Sequence, residues 1–259
     1  MLGTWPVPVL KLGGTMAKMS AGTFSDFKDL NESIAGYPRK ACFEEIAKHF
    51  VSSIYSSYAE SVVLARLFAT VPYGELPVPN RVVVDALTQS KGVKHLLKEE
   101  TPVLSLVATN GAQLEWNDRR RSKGHVGIPL VSAAFIEAIP MMSRLLKQLG
   151  NDLSWIDSND TSLVTKTVGN LSGVFYVADA KKEVDQKGRK VIAAQDFVAA
   201  NKVETVFGFG GRYIGQRVFF VTILFLNERL SRAKAEEFAA ALSSFKTVSS
   251  ESIRKGVFA

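Results

Sequence analysis

Cysteine is nearly absent from this chain: Cys42 is the only one in 259 residues. No intrachain disulfide can form, which fits a protein of the reducing cytoplasm. Cys42 falls in a helix-like stretch, where a lone thiol reads as a small packed apolar residue rather than a redox sensor. Histidine is scarce as well. His49, His95 and His125 are the only three. They fall in different elements, and none has a histidine four residues on or a cysteine close by, so a zinc-type ligand set is not indicated. Long apolar runs are missing too. The longest, Val218–Leu226, has nine residues. A membrane span needs roughly 20, so this run reads as a buried strand and no membrane partner is expected. Pro6 and Pro8 interrupt the N-terminus, and no basic region followed by a long apolar core precedes them, so it does not read as a signal peptide. Residues 1–23 read as an irregular extension, within which Met16 or Met19 are alternative starts.

Recognisable catalytic and nucleotide motifs are lacking. The run Gly208-Phe-Gly-Gly-Arg-Tyr-Ile-Gly follows a strand but opens no helix. It suits a hairpin rather than a dinucleotide loop. Ser105 and Ser172-Gly173 have no nucleophile-elbow flanks. Glu44-Glu45 and Glu236-Glu237 are neighbours on helix-like segments, where adjacent side chains diverge by about 100° and cannot form a carboxylate dyad. Repeats and low-complexity linkers are also absent, which leaves residues 24–250 as one domain.

What remains is ordinary globular material. Hydrophobic residues make up 46% and charged residues 22%, enough apolar content to outweigh chain entropy and bury a large core. The formal net charge is +7, which favours anions weakly. The basic clusters Arg119–Lys123 and Lys181–Lys190 are short and lack the aromatic-plus-basic signature of nucleic-acid modules, so specific nucleic-acid binding is not expected.

Periodicity places the elements. Helical spacing appears over Phe24–Glu32, over Ala41–Tyr58 after Pro38, and over Asn80–Gln89, with Val83, Val84 and Leu87 inward. It appears again over Ser132–Leu149, where Pro140 kinks or divides the helix, over Ser162–Asn170, and from Ser231 onward. Strand-like runs are Val62–Val71, Leu104–Thr109, Val174–Ala178, Thr205–Phe209 and Arg217–Leu226. Asn110-Gly111 reads as a turn. Ala180–Arg189 reads as an exposed loop. This order predicts an α+β fold, a central and mostly antiparallel sheet of about five strands flanked by helices.

The densest chemistry lies in Trp116-Asn117-Asp118-Arg119-Arg120-Arg121-Ser122-Lys123-Gly124-His125. Loops on a rigid scaffold often carry function. Arg119, Arg120 and Arg121 offer guanidinium forks for an anion. Asp118 is placed to orient an arginine or His125, and Trp116 to stack on a ring or cap a cation. Trp116, Asp118, Arg119, Arg120, Arg121 and His125 are therefore the candidate ligand-binding residues. The bland alternative is a solvated loop of Asp–Arg pairs anchored by one tryptophan.

Leu67–Pro77 (Leu-Phe-Ala-Thr-Val-Pro-Tyr-Gly-Glu-Leu-Pro), Trp116–Leu130 and Val206–Gly211 together resemble a sensory input region of bacterial signalling proteins such as sensor histidine kinases. The resemblance covers about Phe24 to Phe245. It implies a GAF- or PAS-like input domain that senses a small molecule and signals to a partner. No kinase, cyclase or DNA-binding output follows the last helix, so a stand-alone domain is expected, acting on a separate signalling protein. No ligand or cofactor carries over from the family. A small anionic or aromatic ligand is the occupant expected near Trp116–His125. Two other readings remain open. One is a homodimeric interaction module that uses the stripe Ala235, Phe238, Ala239, Leu242 and Phe245. The other, less favoured, is an enzyme with His125 and Asp118 as acid–base groups; no catalytic residue is otherwise expected.

Overall fold

Strand β1 (Val62–Pro72) is buried along nearly its whole length, as expected of a central strand covered on both faces. In the computed structural model, which describes residues 18–38, 41–122, 124–150, 153–157, 173–213, 218–238 and 241–258, β1 pairs antiparallel with β2 (Pro102–Gly111) on one side. On the other side it pairs with β6 (Phe219–Leu226). The sheet continues outward to β3 (Gly127–Pro129) beyond β2. Beyond β6 lie β5 (Thr205–Arg212) and β4 (Val174–Val177). The order is β3-β2-β1-β6-β5-β4, and all five pairings are antiparallel.

The fold is thus α+β, with six strands rather than five. The addition is β3, whose three residues Gly-Ile-Pro are too short for a periodic signal. Asn110-Gly111 does not turn; both residues end β2, opposite Ala65 and Leu64. Strand β5 likewise extends through Gly210 and Gly211 to Arg212, and the β5–β6 connection falls beyond it. Glycine is needed at 210 because a Cβ there would sit 2.4 Å from the Phe220 carbonyl of β6.

Alternation along the strands divides the apolar residues into two layers. Against one face pack α1 (Phe24–Ala35), α2 (Phe43–Ser57), α8 (Arg232–Phe238) and α9 (Ala241–Ser249). Thr23 caps α1 and exchanges hydrogen bonds with Asp26, a capping box. Glu45 accepts from the backbone N–H of Cys42 at the start of α2. Phe50, Phe220 and Phe245 interlock in this layer, with ring centroids 4.5 Å apart for Phe50–Phe245 and 5.0 Å for Phe220–Phe245. Ala235, Phe238 and Phe245 of the terminal stripe are all fully buried here, against the chain's own core. The side chains of Ala239 and Leu242 lie outside the described residues.

The other face carries α4 (Ala133–Glu137), α5 (Pro140–Gln148), α6 (Ser154–Asp157) and α7 (Gln195–Ala200). Ser132 caps α4 by accepting from Phe135 N–H. Pro140 divides the expected long helix in two and starts α5, where its missing N–H costs nothing. Helix α3 (Val78–Ser90) stands at the sheet edge against β3. Its buried stripe is the narrow line Asn80, Val84, Thr88, while Val83 is 38% exposed and Leu87 half-buried, unlike the broader inward face expected. The segment 181–190 folds back on itself through a Val184–Lys190 bridge, with Arg189 paired to Asp185. The helix expected over Ser162–Asn170 lies outside the described residues. No helix among the described residues is long and apolar enough to cross a membrane.

Candidate functional site

On the face covered by α4–α7 the packing is incomplete. A cavity of about 630 Å³ opens between the sheet, the start of α5, the 191–194 segment with Phe197 of α7, and the Trp116–His125 loop. That volume lies within the roughly 300–1,000 Å³ typical of small-molecule sites. Its floor is sheet: Leu64, Arg66 and Phe68 from alternate positions of β1, Leu104 from β2, and Ile223 and Phe225 from β6. One side is closed by Ile139, Pro140, Met141 and Met142, which the break at Pro140 turns toward the sheet. Trp116 lines the cavity beside Phe197. Its ring lies 5.6 Å from that of Phe197, which packs edge-on to Phe225 at 5.5 Å. Gly111 is what admits the indole: a Cβ at 111 would sit 2.9 Å from Trp116 Cε3.

The loop expected to form one anion-binding cluster is distributed over three tasks. Trp116 and His125 line the cavity. Asp118 caps its own turn, accepting from Arg120 N–H at 2.9 Å. Arg119 turns away from the cavity and joins Glu44 of α2 through Nε and Nη2, at 2.5 and 3.1 Å. Its Nη1 donates to Asn80 of α3, which in turn donates to Ser105 of β2. Its guanidinium also lies over the Phe258 ring at 4.6 Å. Arg119 is a tie between four parts of the chain. Arg120 and Arg121 are exposed and outside the cavity wall. The expected fork of three arginines is therefore not assembled, because the turn Asp118–Arg121 points successive side chains in different directions. Nor does Asp118 meet His125, so the acid–base pair of the enzyme reading is not formed. Lys123 lies outside the described residues.

The residue that sequence reasoning passed over is Arg66. It sits in the middle of β1, faces the cavity, and is 8% exposed. Nη2 donates to Ser122 Oγ at 2.9 Å and to the His125 carbonyl at 3.1 Å. The guanidinium lies 5.2 Å from the centroid of the Phe68 ring. Nε has no partner among the described residues. Burial lowers the Arg66 pKa to about 10, so the group stays charged at neutral pH. His125 is at the rim. Its surface is open there, yet the protein packed around the ring disfavours the charged form, and the Arg66 cation adds repulsion. Both hold its pKa below the ordinary histidine value. The signal for Arg66 was present in the sequence: an arginine within an unbroken apolar strand is out of place, since arginine is almost never fully buried unless paired.

No protein-family model matches this sequence, and no curated protein does. Among solved structures, the chain is similar to a free methionine-R-sulfoxide reductase from Neisseria meningitidis, in complex with its substrate. That likeness has 7% identity, covers 93% of this chain and 99% of that one, and has a TM-score of 0.44. It is similar as well to the phycoerythrobilin-bound GAF domain of a cyanobacterial phytochrome, at 10% identity over 90% and 99% of the two chains with a TM-score of 0.46. A third is an N-acylhomoserine-lactone-dependent LuxR-family transcription factor from Burkholderia cenocepacia, at 11% identity over 90% and 97%, with a TM-score of 0.38. At that level none of them bears on the chemistry of this chain.

Proposed function

We propose that this chain is a small-molecule-sensing domain of bacterial signal transduction, GAF-like in kind, whose ligand occupies the cavity beneath the Trp116–His125 loop and whose occupancy is read by a partner protein. The supporting observation is the cavity itself. It is large, mostly apolar, floored by central strands and rimmed by a loop in which the Ser122 hydroxyl and the His125 carbonyl accept from Arg66 of the floor. Such an arrangement of apolar wall and sparse polar groups is the usual form of a ligand site. Among the described residues no group of three or more His, Cys, Asp or Glu converges to hold a metal.

The element best placed to report occupancy is the 122–125 loop. Its contacts with Arg66 tie it to the cavity floor, so a ligand that engages the floor changes the loop's anchoring. The terminal helices α8 and α9 lie across the sheet, on the face away from the cavity. A ligand shifts such an equilibrium only by its difference in affinity for the two loop arrangements. The test is a thermal-shift screen of apolar and amphipathic small molecules on the full chain. A ligand at a hundred times its Kd adds about 2.7 kcal/mol, which for a chain of this size raises the Tm by roughly 5–10 °C. A screen in which no compound raises the Tm of this protein would defeat the reading.

A further inference from the structure

Arg66 is a cation in the wrong solvent. It is buried in an apolar wall, and burying a charge is costly unless it is paired. Its two acceptors, Ser122 Oγ and the His125 carbonyl, are neutral. Among the described residues no aspartate or glutamate lines the cavity. Nε is unpartnered and buried, and Nη1 makes no hydrogen bond to a described residue. A half-buried ion pair elsewhere in the chain shows the contrast: Arg119 has both oxygens of Glu44.

We infer that Arg66 is the anchor for the acid group of the ligand, and that the ligand is a monoanionic organic acid with an apolar body. This rests on the cavity being the ligand site, as proposed above. Among the described residues Arg66 is the one arginine or lysine that lines the cavity, and one cation balances a single negative charge, which fits a carboxylate better than a phosphate dianion. A carboxylate entering from the cavity accepts from the guanidinium, and from the Ser122 hydroxyl, whose oxygen already accepts from Nη2 and whose own proton has no acceptor among the described residues. Charge-assisted hydrogen bonds of this kind are about twice as strong as neutral ones. The apolar body then lies against Phe68, Leu104, Ile223, Phe225 and Trp116.

The experiment is calorimetric titration of the full chain with two matched pairs, octanoate against 1-octanol and 4-phenylbutyrate against 4-phenylbutanol. The acids are expected to bind at least tenfold more tightly than the alcohols. Arg66→Met is expected to weaken the acids at least tenfold and to leave the alcohols unchanged, with Arg66→Lys between. The Arg66→Met chain should melt within a few degrees of the original, because exchanging an unpaired buried ion for an apolar side chain is often neutral or stabilising. A purely structural arginine would instead lower the Tm sharply. Alcohols that bind as well as their acids, or acids indifferent to Arg66→Met, overturn the anchor while leaving the cavity as a ligand site. If neither acids nor alcohols bind, the cavity reading fails and the anchor with it. The head-group comparison on the unaltered chain decides the matter even where Arg66→Met does not fold.

Discussion

One sheet, two faces: the same strands that carry the closed aromatic layer carry the cavity. Along β6, Phe220 and Leu224 point into the closed layer, while Ile223 and Phe225 line the open one. The difference comes from what lies on top. The closed face is covered by helices that include α1 and α2, of 12 and 15 residues. At about 1.5 Å per residue α2 runs roughly 22 Å across the strands. Among the described residues the open face is covered by pieces of 5, 9, 4 and 6 residues. Pro140 breaks the one segment periodic enough to have made a long cover. Short helices joined by loops leave gaps that long helices fill, so the cavity follows from interrupted coverage rather than from a special sheet.

The comparison breaks most directly at Phe245. It is fully buried among Phe43, Phe50 and Phe220, so Phe245→Ala is expected to cost about 3–5 kcal/mol in urea denaturation. Phe197→Ala, which borders an existing space and is only half-buried, should cost about 0.5–2 kcal/mol, the range of ordinary single substitutions. Equal costs would mean that the two faces are packed alike and that the cavity closes in solution.

Arg119 comes next. Its side chain is 10% exposed and that of Glu44 21%. Arg119→Ala leaves Glu44 half-buried without its partner and unties Asn80, for a loss of about 1–3 kcal/mol. The affinity for octanoate should not change. A weakened affinity with unchanged stability would return Arg119 to the ligand site and contradict its placement away from the cavity.

The contrast between Arg119 and Arg66 also shows how far the sequence could be read. Period-2 and period-3.6 patterns sufficed for β1, β2, β5, β6 and α2, because those elements are long and each buries a continuous face, whereas the one helix expected from Ser231 is the two helices α8 and α9. The patterns missed β3, which is three residues long, and the broad exposure of α3, which touches the sheet only at its edge. Trp116 and His125, which line the cavity, stand out in the sequence as an aromatic and an imidazole in a polar loop. The roles of Asp118 and the three arginines were not legible, because the directions of side chains around a turn depend on backbone angles that composition does not encode. Arg66 was hidden by the opposite bias. Dense charge dominates the pattern at 118–123, whereas Arg66 is an isolated charge in a strand where every neighbour is apolar or small.

Filling the cavity sharpens the comparison from the other side. Ile223 is buried and faces the open layer. Ile223→Phe adds volume where atoms are missing, so it should stabilise the chain by about 0.5–2 kcal/mol, as cavity-filling changes commonly do. It should also abolish binding of both phenylbutyl compounds. The same enlargement on the closed face, Leu224→Phe, should destabilise by about 1–3 kcal/mol through overpacking. Destabilisation by both variants would show that the open layer has no usable space.

The smallest effect concerns pH and His125. In the unfolded chain this ring takes its proton near the ordinary value of 6.5; in the folded chain surrounding protein and the Arg66 cation push that proton's uptake to lower pH. Between the two values the unfolded state holds more protons, so stability falls as pH drops. Above 6.5 the ring is neutral in both states and contributes nothing to the pH slope. The Tm of the original chain is therefore expected to fall more than that of His125→Asn as pH is lowered from about 7.5 to about 5.5, with the two running parallel at higher pH. An acid bound at Arg66 cancels part of the repulsion. Saturating octanoate should then raise the His125 pKa measured by NMR, while 1-octanol should not. A His125 pKa that falls on octanoate binding would place the acid group away from Arg66, even with the cavity occupied.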